Sequence, residues 1–422
     1  MISKLKNIGV VNILVALIII TFIIPPLILN PIFIGLLFVF VLIRYLRNKQ
    51  TFYKDNITNI SITFILYFVI LVVSLIYSKD LNNGIAYVSQ SFPLLIIPIL
   101  PLFISRKEIS LSFISNIFIS FLCCIFFLLV FIAFYKNWNE GYSIEYVYQR
   151  LQGLEVPKDK YSYFNYWYFV YDNFTSPLVI QPIYLGLFTN IGIVFLFFLK
   201  KIKQIKYYYF KLIVLSVLIL LTASRWQILI FALNFVIFIL FFEDLRLSKK
   251  LLGITLCASF ILLVSLINPV TKTRFFEAFS YKEAFYKDDF GSTSLRVKKW
   301  RSAINGIAKR PVIGYGVGDG KQALINQFKK DKFYLAYYNK YNAHNQYLDT
   351  LLYVGPMGLI LLGFIFYFAY KSSVTKLYLF LITNIFFLGF ITESILNRQW
   401  GVIAFPFFLI IFSIFDYETI EN

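Results

Sequence analysis

Long apolar runs recur along the whole chain, and polar residues are concentrated in short connections and in two long segments, 136–177 and 268–345. A bilayer core about 30 Å thick needs a helix of about 20 apolar residues. The pattern therefore predicts an all-α polytopic membrane protein with about twelve transmembrane helices in one membrane domain, 1–422. The predicted spans are about 8–25, 31–46, 60–77, 84–104, 111–135, 178–199, 207–223, 225–242, 251–267, 346–370, 377–391 and 399–415.

The stretch 207–242 is the one ambiguous apolar run. A single helix over it would be about 54 Å long, far more than a bilayer core of about 30 Å requires. Two short spans that turn near Ser224 and Arg225 fit better. Lysines flank the stretch at 200–203 and 249–250, and two spans place both groups on the same side of the membrane.

The distribution of positive charge predicts the topology. Lysine and arginine are concentrated in one set of connections, whereas the short turns on the other side hold only Lys79, Arg225 and Arg398. Positively charged connections face the cytoplasm. Both termini are therefore predicted to be cytoplasmic, and both 136–177 and 268–345 are predicted to be external loops.

Composition limits the classes of function. The chain is 59% hydrophobic and 14% charged, which excludes a soluble protein, and its net charge is +19. That charge suits membrane lipids or an anionic substrate, and its spread over many connections argues against nucleic acid. The three cysteines lie in apolar runs and there is a single histidine, so no metal site and no cofactor is predicted.

The single histidine, His344, lies where the second long loop re-enters the membrane. It offers one proton acceptor near neutral pH, although most lone histidines are structural and only hydrogen-bond a neighbouring loop. Upstream, 294–310 is predicted to be an amphipathic helix at the membrane interface, with Arg296 at the edge of its apolar face and Lys299 on its polar face. The alternative is a lipid-anchoring surface without chemistry.

Glycines follow at 314, 316, 318 and 320, a spacing that fits neither a dinucleotide fingerprint nor a P-loop. This segment is predicted to be a tight turn with backbone amides open to an anion. Arg225 is predicted to begin a helix capped by Ser224, where it would attract an anion or act as an interfacial anchor. Glu393 and Arg398 share the external side and are interpreted as an ion pair.

Charge and hydropathy together place four candidate residues on the external face: His344, Arg225, Arg296 and Glu393. A base beside arginines at a lipid interface suits the displacement of a lipid diphosphate by a hydroxyl group. Diphosphate is a good leaving group, so the reaction needs cations for the departing charge and a base for the acceptor. Arginines can bind a diphosphate without a metal.

At these residues the chain resembles the O-antigen ligase/O-antigen polymerase superfamily, over about 175–415. The resemblance implies a GT-C-like fold and an undecaprenyl-diphosphate-linked glycan donor, with His344 as the base and Arg225 and Arg296 on the diphosphate. The matching segments are Thr222-Ala223-Ser224-Arg225, Arg296 with Trp300, Pro311 to Gly318, His344 to Leu348, Gly355 to Gly358 and the Glu393 segment.

The chain departs from the superfamily at Gln181. Relatives often carry His-Pro-x-Tyr where this chain has Gln181-Pro182-Ile183-Tyr184, and glutamine cannot act as a base. Supporting roles in binding are expected for Gln181, Tyr184, Asn345, Glu393 and Arg398.

These residues do not identify the acceptor. It is lipid A-core in a ligase, another lipid-linked glycan in a polymerase, or a protein hydroxyl. A transporter or flippase of the same lipid-linked saccharide is the alternative from a different class. The nearly charge-free interiors of the spans favour interfacial chemistry over transport.

Overall fold

The computed structural model describes residues 9–25, 28–48, 52–140, 166–243, 245–267, 292–374 and 376–415. All regular secondary structure in these ranges is helical, which confirms the predicted all-α class. Short 3-10 turns connect several of the helices. The α-helices are α1 Val10–Ile20, α2 Leu29–Asn48, α3 Asn59–Val73, α4 Leu81–Gln90, α5 Pro93–Ile99, α6 Leu111–Glu140, α7 Tyr171–Thr175, α8 Pro182–Lys201, α9 Tyr208–Leu221, α10 Arg225–Phe242, α11 Leu247–Ile267, α12 Ser292–Ile307, α13 Gly320–Lys330, α14 Tyr334–Tyr338, α15 Gln346–Ser372, α16 Leu377–Thr392 and α17 Gln399–Ile414.

Six helical segments of the described residues are long and apolar enough to cross a membrane. Further apolar helices of 10–17 residues accompany them, and the multi-pass character of the chain is thus supported, whereas the count of about twelve spans stays a prediction. The six segments are Leu29–Arg47, Asn59–Tyr77, Leu81–Phe103, Arg106–Asn139, Pro182–Lys201 and Gln346–Ser372.

The chain divides into two compact units, residues 1–114 with 281–422, and residues 115–280. The predicted external loops are described only in part, because 141–165 and 268–291 lie outside the described residues. In the first unit, α15 packs against α3 and α16. Aromatic side chains fill the core there: the ring centroids of Phe390 and Phe405 lie 4.8 Å apart, and those of Phe64 and Phe405 lie 5.1 Å apart. These contacts form the scaffold beneath the loops at 341–349 and 393–398.

A kink in α15 anchors the glycine-rich segment. Gly355 has φ 66° and Pro356 follows it, so the carbonyls of Leu352 and Tyr353 lose their helical donors. The backbone amides of 315 and 316 donate to these two carbonyls, each at 2.8 Å. Backbone amides of the glycine-rich segment and backbone carbonyls at the kink of α15 thus satisfy each other's hydrogen-bonding capacity.

The glycine-rich segment forms the predicted tight turn, but its expected anion-binding role is wrong. Every backbone amide from 315 to 320 donates to a protein acceptor. Two of these acceptors are the hydroxyls of Ser74 and Ser78, and the Asp319 carboxylate in turn accepts from the amide of Lys79 at 2.6 Å. The turn therefore joins the segment after the C-terminal end of α3 to the loop before α13.

The second unit contains the predicted hairpin in 207–242. Helix α9 ends at Leu221, Ala223 adopts a left-handed conformation with φ 47°, and α10 begins at Arg225. Ser224 occupies the N-cap position but its side chain makes no capping hydrogen bond, so the expected cap is wrong. At the other end of the hairpin, Lys200 Nζ lies 3.0 Å from a Glu243 carboxylate oxygen.

Candidate functional site

The site is built on His344 and Glu393, which approach each other from two loops of the first unit. His344 Nδ1 lies 3.1 Å from Glu393 Oε2. The imidazole is 28% exposed while the carboxylate is 5% exposed, so only the histidine is open to a substrate. The Trp300 indole of α12 donates to the backbone carbonyl of His344 at 3.4 Å, which attaches α12 to the same loop.

Three further hydrogen bonds join residues 345–349 to residues 394–397. The Asn345 amide donates to Ser394 Oγ at 3.3 Å, and the Leu396 amide donates to the Gln346 side chain at 2.7 Å. The fully buried Asp349 carboxylate accepts from the Asn397 side chain at 2.7 Å, and its other oxygen accepts from the amide of Ala343 at 3.3 Å. Asn345 also caps α15 by accepting from the Leu348 amide at 3.1 Å. The histidine thus sits on a fixed frame.

Glu393 is ionised at neutral pH. Burial opposes its ionisation, but the hydrogen bond from His344 and the positive charges of Arg296 and Arg398 outweigh burial and hold the pKa of the carboxyl below its usual range. An ionised Glu393 requires a proton on His344 Nδ1, so the neutral ring carries its lone pair on Nε2. The pair is therefore arranged as an oriented general base.

The interpretation of Glu393 and Arg398 as an ion pair is wrong for the described residues. No contact within 4.0 Å joins the two groups, and the carboxylate is hydrogen-bonded to His344 instead. Arg398 is exposed and acts on Glu393 through its charge. Because its partner is His344 and not Arg398, Glu393 can orient the imidazole ring.

Lys299, which was expected on the solvent face of the amphipathic helix, is only 6% exposed. Its ammonium lies 4.1 Å from the centre of the Tyr341 ring. Burial and the nearby Arg296 lower the pKa of Lys299 to about 8, although Glu393 opposes this. Ile304, by contrast, is 55% exposed, whereas its neighbours Ser302 and Ala303 are buried. Small residues of α12 therefore pack against the protein, and an apolar side chain lies on its outer face.

The remaining predicted site residues belong to the second unit. Arg225 is the first residue of α10 and is half-buried, where the positive end of the helix dipole adds to its charge. Gln181 is the exposed N-cap residue of α8, and Tyr184 in the first turn is fully buried. Gln227, two residues beyond Arg225, accepts a hydrogen bond from the Asn190 side chain at 2.9 Å and joins α10 to α8.

The order of these segments along the chain can be compared with known families. Residues 210–363 match the family model Wzy_C, O-antigen ligase. The match confirms the resemblance to the O-antigen ligase/O-antigen polymerase superfamily, and it contains Arg225, Arg296 and His344. A search of the curated proteins gives no match to the chain. The family match implies an O-antigen ligase/polymerase-type, glycosyltransferase-like activity on lipid-linked glycans in a membrane.

The O-antigen ligase match ends before Glu393, so the partner of His344 is known from the geometry alone. Sequence reasoning missed Asp349 and Lys299. An acid one turn into an apolar helix is the signal that would have identified Asp349, since carboxylates are rare in such helices. Lys299 carried no comparable signal, because it lies in a run of basic residues.

Proposed function

We propose that the protein transfers a glycan from undecaprenyl diphosphate to an acceptor hydroxyl at the external face of the bacterial inner membrane. The observation that carries this proposal is the His344–Glu393 pair, an exposed imidazole oriented by a buried carboxylate. The reaction class is that of the matched O-antigen ligase family. The acceptor is lipid A-core or a second lipid-linked glycan.

In the proposed step the acceptor oxygen attacks the anomeric carbon of the donor sugar. The bond from that carbon to the diphosphate breaks, and the acceptor proton passes to Nε2 of His344. Glu393 stabilises the imidazolium that forms. Arg225 and Arg296 bind the departing diphosphate, whose charge is met by side-chain cations without a metal ion.

An apolar groove in the first unit supports a lipid-linked substrate. It has a volume of about 610 Å³ and is lined by side chains of α2, α5 and α17, among them Phe38, Ile96 and Ile403. Gln90 lines both this groove and the cavity that holds His344. A hydrocarbon chain in the groove would therefore place its polar head beside the base.

The experiment that tests the function is a glycolipid profile of a gene deletion complemented with wild type or His344→Ala. Loss of all glycan from lipid A, with polyprenyl-linked polymer accumulating, identifies a ligase. Single repeats on lipid A without a ladder identify a polymerase. A profile that His344→Ala leaves at wild-type level would contradict the mechanism. A flippase would keep lipid translocation in this variant, whereas the proposed transferase keeps donor binding and loses turnover.

Arg225→Lys tests the diphosphate contact. One ammonium cannot reproduce the two parallel hydrogen bonds of a guanidinium, so we expect transfer to fall by about tenfold or more. Lys211→Arg on the preceding helix α9 is the matched control for a basic exchange and should leave transfer unchanged. Normal transfer by Arg225→Lys, measured with donor concentration varied, would reduce Arg225 to an interfacial anchor.

A further inference from the structure

A cavity of about 570 Å³ opens beside His344 in the first unit. This volume is typical of small-molecule sites, which span about 300–1,000 Å³. Its charged lining residues are all positive: Lys321 on α13, Lys340 after α14 and Arg398 before α17. The other polar lining groups are side-chain amides and tyrosine hydroxyls, which can donate to and accept from sugar hydroxyls.

Lys321 and Lys340 have no carboxylate partner within the described residues, whereas Arg398 acts on the buried Glu393 through its charge. No aspartate or glutamate lines it, and none of its three cations forms an ion pair within the described residues. The two neighbouring basic cavities differ, because Asp331 lines one of them and Asp319 lines the other. Uncompensated cations in a concave, amide-rich wall favour an anionic ligand that also carries hydroxyl groups.

We propose that this cavity binds an acidic sugar residue, bearing a carboxylate or a phosphate, in the saccharide that reacts at His344. The inference rests on the proposed function, since it assigns a subsite to the same reaction. Lys321 and Lys340 are its specificity-determining residues, and the exposed side-chain amides of Gln90 and Gln322 can hydrogen-bond the hydroxyls of the sugar. A neutral saccharide would leave both lysines without a partner and bind more weakly.

The test is a binding measurement on the full-length protein in nanodiscs, carried out in the His344→Ala background so that no turnover occurs. The probes are a polyprenyl-diphosphate-linked disaccharide ending in glucuronic acid and the same molecule ending in glucose. We expect the acidic probe to bind at least about tenfold more tightly, because a charge-assisted hydrogen bond is worth that much. Adding Lys321→Gln and Lys340→Gln should remove this preference, and the control Lys330→Gln, on the same helix but outside the cavity, should keep it.

Two outcomes would overturn the proposal. One is equal affinity for both probes before the lysines are changed. The other is an equal loss for both probes in the double-lysine variant, together with weaker competition by inorganic pyrophosphate, which would assign the cations to the diphosphate of the donor. Binding does not require transfer, so a failure of the proposed function appears separately, as normal probe binding to wild type without product. Unchanged thermal denaturation midpoints of the variants establish that they are folded.

Discussion

His344 is held in a backbone conformation that side chains seldom adopt. Its φ is 49°, in the left-handed region, which costs of order 1–3 kcal/mol for a residue other than glycine. The hydrogen bonds of the neighbouring amides maintain this conformation: the amide of His344 donates to the Asn342 side chain, and those of Ala343 and Asn345 donate to Asp349 and Ser394. The surroundings thus sustain backbone strain at the residue that we propose as the base.

Glu393 is the partner of that residue, and its charge can be removed by substitution. Glu393→Gln keeps the shape of the side chain and removes its charge, so the proton is no longer held on Nδ1 of His344 and the imidazolium is no longer stabilised. We expect turnover to fall by about 100-fold or more, with little change in KM. Steady-state transfer kinetics would check this.

Asn83→Gln, a polar exchange elsewhere on the cavity wall, serves as the control for Glu393→Gln and should change KM rather than turnover. Wild-type turnover in Glu393→Gln would show that the carboxylate is not needed to orient the base. A loss of protein from the membrane fraction would assign Glu393 a structural role instead.

The lowered pKa of the buried Lys299 should make the stability of the folded protein increase with pH. Its pKa is about 8 in the folded protein, whereas that of an ordinary solvated lysine is 10.5, so the folded chain binds fewer protons than the unfolded chain between these values. The free energy of unfolding therefore increases by about 3 kcal/mol in total as the pH is raised from about 8 to 10.5. Below pH 8 the lysine is charged in both states, and burial of its charge destabilises the folded protein by the full amount. Lys299→Met should abolish this rise.

Thermal denaturation of the detergent-purified wild type and Lys299→Met, at intervals between pH 7 and 10.5, would measure the difference. The midpoint of the wild type should move upward relative to the variant as the pH is raised. Parallel curves for the two proteins would mean that Lys299 titrates as an ordinary surface lysine. Lys298→Met, on the adjacent position of α12, is the matched control and should follow the wild type.

At the scale of elements, α15 is the helix that organises the site. Its first turn carries Gln346 and Asp349, which connect it to 394–397, and its kink at Gly355 receives the segment 314–316. A Cβ on Gly355 would lie 2.4 Å from the carbonyl oxygen of Val312, so only glycine fits there. The kink thus fixes the position of the glycine-rich segment relative to the helix that follows His344.

Gly355→Ala should therefore destabilise the protein by at least about 2 kcal/mol, from the left-handed φ and the steric clash together, and reduce transfer. Gly363→Ala on the same helix is the control, because a Cβ there meets no atom within 4 Å. Thermal denaturation midpoints of both variants test this. Equal midpoints would show that the backbone around Gly355 relaxes without cost.

The elements were largely predictable from the sequence, whereas the contacts of the site were not. Apolar runs determine helices locally, and even the turn at Ser224 followed from the length of its run and its flanking lysines. The hydrogen bond between His344 and Glu393 joins residues 49 positions apart, and that between Gly318 and Ser78 joins residues 240 apart. Such pairings depend on how the helices pack, so the glycine-rich amides were wrongly assigned to an anion.

At the scale of the whole molecule, segments predicted to share one side of the membrane meet in the structure. The turn at Lys79, the loop around Asp319 and the loop after Glu393 all lie at the end of the first unit that holds His344. In the second unit, the ends of α8 and α10 that carry Lys200 and Glu243 meet, as the hairpin topology predicts. These pairings agree with the charge distribution within each unit, and the direction of each unit across the membrane stays a prediction of the positive-inside rule.

That direction can be tested with two exposed tyrosines, Tyr338 and Tyr207, which are 74% and 78% exposed. Each is replaced by cysteine in a background without the three native cysteines. A membrane-impermeant maleimide should label Tyr338→Cys in intact spheroplasts, because residue 338 lies close to His344 in the loop 268–345, which is predicted to be external. It should label Tyr207→Cys only after the membrane is permeabilised, because the basic connection 200–206 predicts that this residue lies on the cytoplasmic side.

The reverse labelling pattern would place His344 on the cytoplasmic side. A transfer to an external acceptor would then be ruled out, whatever the chemistry of the site. Labelling of both cysteines in intact spheroplasts would contradict the two-span assignment of 207–242. With a single span, residue 207 would lie on the opposite side of the membrane from 249–250. The two cysteines together therefore test the topology on which the proposed reaction depends.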